Sequence, residues 1–169
     1  MKTITILFVL IIPSCYLFAE TPEFPCEKNP AYQVLDFWIG DWDVLDPGGQ
    51  KVGTNKIEKI LGGCAVVENW TEPDGHEGKS FFYFNNPTGK WKQVWVEDSG
   101  GMKEKEFVQK FDDGGIRFQG TVQIRDGSMI LDRTTLTPKD QNHVRQVIEI
   151  SRDQGKNWKT VFDAIYVRK

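Results

Sequence analysis

The chain has 169 residues and a formal net charge of −3, with 21 Lys and Arg against 24 Asp and Glu and no basic stripe or block of like charge. That balance excludes nucleic acid as the main partner, because such binding rests on clustered neutralisation of phosphates. The length suits one domain around one core, and no apolar run reaches the roughly 20 residues that a membrane-spanning helix needs.

Residues 1–19 read as a targeting segment. Lys2 supplies the positive start, Ile4 to Ile12 the apolar run, and Pro13-Ser14 breaks it before Leu17-Phe18-Ala19, where cleavage is expected. Ile12-Pro13-Ser14-Cys15 also loosely resembles a lipoprotein signal, in which Cys15 would carry the lipid; Tyr16-Leu17-Phe18 directly after it is unlike a hydrated tether. Export to the periplasm or the outside is the expectation on either reading. A Pro-containing leader follows over residues 20–30, and Ala31 to Phe37 can make one helical turn ahead of a domain spanning 31–169. Past the signal, two cysteines remain, and an exported pair is expected to bridge Cys26 to Cys64. No Cys-x-x-Cys spacing supports redox chemistry, and His76 and His143 have no metal-ligand spacing, so neither a metal nor a cofactor is expected.

Beyond Phe37 the chain reads as strands punctuated by turn residues. Pro47-Gly48-Gly49 ends the first strand, the second runs from about Val52 to Leu61, and Gly62-Gly63 separates it from Ala65 to Thr71. Pro73-Asp74-Gly75, Asn86-Pro87-Thr88-Gly89, Ser99-Gly100-Gly101, Asp112 to Gly115, Asp126-Gly127, Pro138 to Asn142 and Asp153-Gln154-Gly155 mark the later turns. About ten strands result. With no helix long enough for a crossover, the fold class is all-β: an antiparallel up-and-down barrel with a short N-terminal helical segment.

Two hairpins carry enough pattern to assign faces. A three-residue loop at Pro87-Thr88-Gly89 sets Tyr83 opposite Gln93 and Phe81 opposite Trp95, so Phe81, Tyr83, Trp91, Gln93 and Trp95 share an inner aromatic wall. Phe82, Phe84, Val94 and Val96 then form an apolar outer face, which the N-terminal segment or a second copy in a homodimer would cover. In the second hairpin, Leu136 opposite His143 makes Arg133 an interior cation near Gln146. A slip of one residue instead sets Arg145 and Glu149 beside Arg133, because every side chain changes face together.

Phe37-Trp38-Ile39-Gly40-Asp41-Trp42-Asp43, then Gly62-Gly63-Cys64 followed by Glu68-Asn69-Trp70, then Gly89-Lys90-Trp91-x-Gln93-x-Trp95-Val96, then Val144-Arg145-Gln146 and Gly155-Lys156-x-Trp158 occur in one order. Together they resemble an uncharacterised family of exported bacterial proteins known only as a domain of unknown function. That resemblance implies a lipocalin-like barrel and no established reaction. Gly40-x-Trp42 and the strand count are more distantly similar to lipocalins and fatty-acid-binding proteins, which implies a late Arg packed over the first-strand Trp; Arg168 is the positional candidate. Nitrobindin-type haem barrels also begin with Gly-x-Trp, but Val44 and Asp46 stand where their further glycines would fall.

Function is expected to be binding of a small apolar or amphipathic ligand inside the barrel. Trp70, Phe81, Tyr83, Trp91 and Trp95 would form walls, and Gln93, Arg133 and Gln146 would orient a polar end. Arg133 could instead be satisfied by Glu68 or Glu97 without any ligand. Trp38 and Trp42 read as structural plugs, His76 and His143 as loop histidines, and Arg145 with Glu149 as a solvent-facing pair. Two alternatives stand beside binding: an isomerase or cyclase type of pocket enzyme using Glu68 as a buried acid or base, and a dimeric interaction module.

Overall fold

The computed structural model describes residues 25–124 and 126–169; the targeting segment, Cys15 and residues 20–24 of the leader lie outside the described residues. Ten antiparallel strands follow one another around a closed up-and-down barrel, with the last paired to the first. They are β1 (Gly40–Leu45), β2 (Lys51–Ile60), β3 (Ala65–Thr71), β4 (Glu77–Asn85), β5 (Lys90–Glu97), β6 (Met102–Lys110), β7 (Ile116–Gln123), β8 (Met129–Pro138), β9 (His143–Ser151) and β10 (Lys159–Arg168). Among the described residues no helix is long and apolar enough to cross a membrane.

The helical turn expected over 31–37 is instead a short helix, α1 (Pro25–Lys28), followed by two 3-10 turns at Pro30–Tyr32 and Asp36–Trp38. Asn29 caps the first by accepting from the Ala31 N–H at 3.0 Å, and Pro30 occupies a first-turn position where no N–H is needed. This segment is driven into one end of the barrel. Leu35, Trp38 and Trp42 are completely buried, and Trp38 meets Phe82 and Tyr166 edge-on at 5.8 and 5.9 Å between ring centres. The Trp42 indole donates to the Trp38 carbonyl at 2.9 Å, and that of Trp91 to the Ala31 carbonyl at 2.7 Å. The Cys26–Cys64 disulfide is formed and ties α1 to the turn between β2 and β3.

Arg168 closes the same end in the position anticipated for it. Its guanidinium lies 4.1 Å from the Trp42 ring centre and donates to the Ile39 and Gln141 carbonyls at 3.0 and 3.1 Å. Gly40 is required here. Its φ is 145°, and a Cβ on it would stand 2.1 Å from the Arg168 guanidinium.

The β4–β5 register differs from expectation, and the β8–β9 pair takes the alternative facing, with Glu149 beside Arg133. At the β4–β5 turn the Asn85 carbonyl receives the N–H groups of Thr88 and Gly89 at 3.1 and 2.8 Å. Asn86 therefore joins the loop, and Asn85 pairs with Lys90. The shift is odd, so Phe82 and Phe84 turn inward while Phe81 and Tyr83 stand outside, 40 % and 36 % exposed. Outward-facing apolar residues on β4 and β5 are thus Phe81, Tyr83, Val94 and Val96, and neither Phe82 nor Phe84 belongs to that face. At the β8–β9 turn, Lys139 and His143 close the loop with a 2.8 Å backbone bond and Leu136 pairs with Gln146. Again the displacement is odd, and Arg133 goes outside.

Candidate functional site

Walking inward-facing positions along six of the strands, away from the plug, the chemistry changes at a common depth. Ile57 gives way to Asn55 on β2, Val66 to Glu68 on β3, Phe82 to Ser80 on β4, Trp91 to Gln93 on β5, Phe107 to Lys105 on β6 and Leu136 to Thr134 on β8. Each step is two residues, the period that keeps a side chain on one face. Above this polar layer lies a cavity of about 220 Å³. Its floor is polar, with Glu68, Gln93, Lys105, Thr134, Gln146 and Tyr166; Trp70, Trp95, Ile148 and Phe162 make the walls, and Glu72, Glu97 and Lys103 the mouth.

Glu68 is the centre of the floor. It is 4 % exposed, and its carboxylate accepts from Asn55 Nδ2 at 2.7 Å and from Ser80 Oγ at 2.6 Å. Gln93 Nε2 donates in turn to Ser80 Oγ at 3.0 Å. Asn55 Nδ2 also reaches Tyr166 Oη at 3.2 Å, and that hydroxyl donates to Gln146 Oε1. Burial pushes the Glu68 carboxyl above the usual glutamate range, against the opposing pull of Ser80, Asn55 and the Lys105 charge. Burial and the Glu68 charge likewise drive the Tyr166 phenol well up, so it remains a neutral donor. The acceptor oxygen of Gln93 is buried and has no partner among the described residues.

Lys105 is the interior cation, 5 % exposed. Its Nζ donates to Thr134 Oγ1 at 2.6 Å and lies 2.5 Å from Asp132, which Lys103 also approaches at 3.1 Å. Neither contact follows the hydrogen-bonding direction of the Asp132 oxygens, which have no aligned donor; the three groups are held by charge. Burial lowers the Lys105 ammonium below the ordinary lysine range, and Asp132 partly restores it.

The two wall indoles are seated on glycine. A Cβ at Gly53 would come within 2.4 Å of the Trp70 ring, and one at Gly78 within 2.2 Å of that of Trp95. Trp70 further meets Phe162 edge-on at 6.2 Å. Each ring therefore has a niche on one side and the cavity on the other, and neither must be ordered when something enters.

Of the anticipated binding residues, Trp70, Gln93, Trp95 and Gln146 line the cavity. Trp91 points inward but lies in the plug-end core, 2 % exposed. Phe81 and Tyr83 are on the outer surface, with their rings 6.2 Å apart. Arg133 is outside too: it binds Glu149 through two bonds of 2.7 and 2.9 Å and stacks 3.8 Å from the Trp158 ring centre. It therefore meets neither Glu68 nor Glu97. Arg145 pairs with Asp163 across the β9–β10 ladder, at 2.9 and 2.6 Å, and not with Glu149. The histidines sit at opposite ends, His143 against Asp140 at 2.9 Å and His76 against Asp98 at 3.2 Å.

Sequence reasoning missed Lys105 and Asp132. Their signal is the alternation Lys103-x-Lys105-x-Phe107, in which an apolar residue shares the face of two lysines, and Ile130-x-Asp132-x-Thr134-x-Leu136, in which apolar residues bracket an acid. Among the described residues no group of three or more His, Cys, Asp or Glu is placed to hold a metal ion. In comparisons with known proteins, no family model matches the chain and no curated protein matches it significantly.

Proposed function

We propose that this is an exported binding protein that holds one small amphipathic molecule at the open end of the barrel, ring against Trp70 and Trp95 and polar end on the Glu68–Gln93 floor. The observation that carries this is the cavity itself: about 220 Å³ bounded below by hydrogen-bonding groups and on the sides by indoles already seated on glycine. An apolar cavity of roughly 150 Å³ accepts benzene, so this one suits a single substituted ring rather than a long acyl chain. Its floor is more polar than an apolar ligand wants, because unpaired buried polar groups are costly. The ligand must therefore bring hydrogen-bonding atoms of its own. The disulfide suits an oxidising compartment, which supports the periplasmic or extracellular placement. The ordered motifs of the exported domain-of-unknown-function family, together with the Arg168–Trp42 contact, support membership of a lipocalin-like group.

The test is a titration with 2-phenylethanol, followed by tryptophan fluorescence and native mass spectrometry. One molecule bound per chain, with a shifted emission maximum, is expected for the native protein. Ile148→Phe, which fills the cavity, should abolish it. Binding that survives this substitution, or no binding of 2-phenylethanol or of its close ring-bearing analogues at millimolar concentration, overturns the reading.

Turnover is a second reading, favoured by one observation: a carboxyl held above its ordinary range faces the cavity. Both Glu68 oxygens already accept hydrogen bonds, so proton exchange with a ligand requires Ser80 or Asn55 to yield. An activity lost in Glu68→Gln while 2-phenylethanol still binds would establish it.

A further inference from the structure

We infer that the ligand of this cavity is an organic cation, a protonated amine on a short ring-bearing body. The inference rests on the binding reading above and names the ligand class. Three carboxylates line the cavity, Glu68 at the floor and Glu72 and Glu97 at the mouth, against two lysines. Those lysines are not free to receive an anion, because Lys105 and Lys103 converge on the fully buried Asp132 at 2.5 and 3.1 Å. Among the described residues no ion pair is made by Glu72 or Glu97, so an excess of negative charge remains at the mouth.

An independent observation points the same way. Gln93 is 6 % exposed, lines the cavity, and has a buried acceptor oxygen that no group among the described residues satisfies. An ammonium is the complementary ligand group, since it offers three donors and accepts nothing. The walls agree as well, because Trp70, Trp95 and Phe162 carry negative ring faces that attract a cation, most strongly where water is excluded. Around Glu68 the facing groups are Asn55 from β2, Ser80 from β4, Lys105 from β6 and Tyr166 from β10. Only Lys105 among them is charged, and it is committed to Asp132.

Three probes of nearly one shape separate the possibilities on the native protein at pH 7.5: 2-phenylethylamine, 2-phenylethanol and phenylacetate, titrated by calorimetry. The amine should bind at least tenfold tighter than the alcohol and phenylacetate least. The amine's advantage over the alcohol should shrink several-fold in 0.5 M NaCl and in the double variant Glu72→Gln/Glu97→Gln. Equal binding of amine and alcohol, or a preference for phenylacetate, overturns the cation assignment and leaves the binding reading intact. Failure of all three probes overturns both.

Discussion

The two ends of the barrel are built from the same ten strands and differ in what happens two residues further along most of them. At the plugged end, inward positions carry large apolar side chains, and the N-terminal segment adds Leu35 and Trp38 to them until no space remains. At the open end the same faces carry Asn55, Glu68, Ser80, Gln93 and Lys105, and space does remain. A barrel of this width cannot be filled by its own strands alone, so one end is closed by a segment brought from outside it. The lesson is a division of labour: apolar burial at the plug supplies the stability that lets the open half tolerate buried charge, which on its own weakens a fold.

Breaking the plug should have the largest effect. Trp42→Ala removes a completely buried indole, its bond to the Trp38 carbonyl and the seat of Arg168, and should cost about 3–5 kcal/mol in denaturant unfolding. Trp95→Ala at the open end, where the ring borders space, should cost clearly less while impairing ligand binding. If the two cost the same, the division is wrong. Next comes Cys26→Ser with Cys64→Ser. The bridge closes a 38-residue separation, and its loss should cost about 3–4 kcal/mol, since loop closure restrains the unfolded chain. Because the bridge fastens only the plug, 2-phenylethanol affinity of the folded variant should change little.

The open end answers to a subtler change. Gly78→Ala places a methyl group 2.2 Å from the Trp95 ring and should cost about 1–3 kcal/mol by overpacking. It should also weaken 2-phenylethanol binding, because the indole can move only into the cavity. Neither Gly53 nor Gly78 was recognisable from sequence. Turn residues marked nearly every hairpin correctly, β3 lies where Gly62-Gly63 and Pro73 bound it, and Gly40-x-Trp42 correctly signalled a plug. The paired cysteines and the buried acid Glu68 were legible for the same reason, that residue type alone carried the signal. Facing was not legible wherever it hung on loop length. One residue more in the loop at Asn86 turned Phe81 and Tyr83 out, and the closure at Lys139–His143 did the same to Arg133. Lysine on a strand reads as solvent-facing, and the Asp132 that meets Lys105 lies two strands away, beyond Gly120, so no local pattern links the two.

Smaller still is the effect of neutralising the floor. The folded state holds the Glu68 proton more tightly than the unfolded chain, so the stability contributed is fully present below the ordinary glutamate range. It is lost as pH rises through the folded-state value. Glu68→Gln removes that dependence. The variant should melt a few degrees above the native protein at pH 8, with the gap closing in acid. Lys105 has the opposite sign, its folded-state value lying below the ordinary one, so its contribution grows as pH rises toward the unfolded lysine range. Lys105 is common to both proteins, so the native chain and Glu68→Gln should be compared at each pH and the difference read. A gap that widens in acid would mean that the network needs the charge rather than suffers it.

The least effect is expected at His76, and it reports on the mouth rather than the fold. Asp98 raises the imidazole by a direct bond and by its charge, and Asp74 and Glu72 add to this through space. The side chain is 65 % exposed, so its stabilisation, present below the unfolded histidine value and lost as pH rises through the folded one, should be too small to see in melting. NMR titration reads it directly: His76 should titrate above the ordinary histidine range and return to it in Asp98→Asn. The same resonance tests the negative potential at the mouth. Glu72→Gln should lower it slightly, and an organic cation bound in the cavity should lower it further by repelling the proton. If saturation with 2-phenylethylamine leaves His76 unmoved while 2-phenylethanol does the same, the bound charge lies elsewhere than at this rim, and the acidic mouth steers nothing into the barrel.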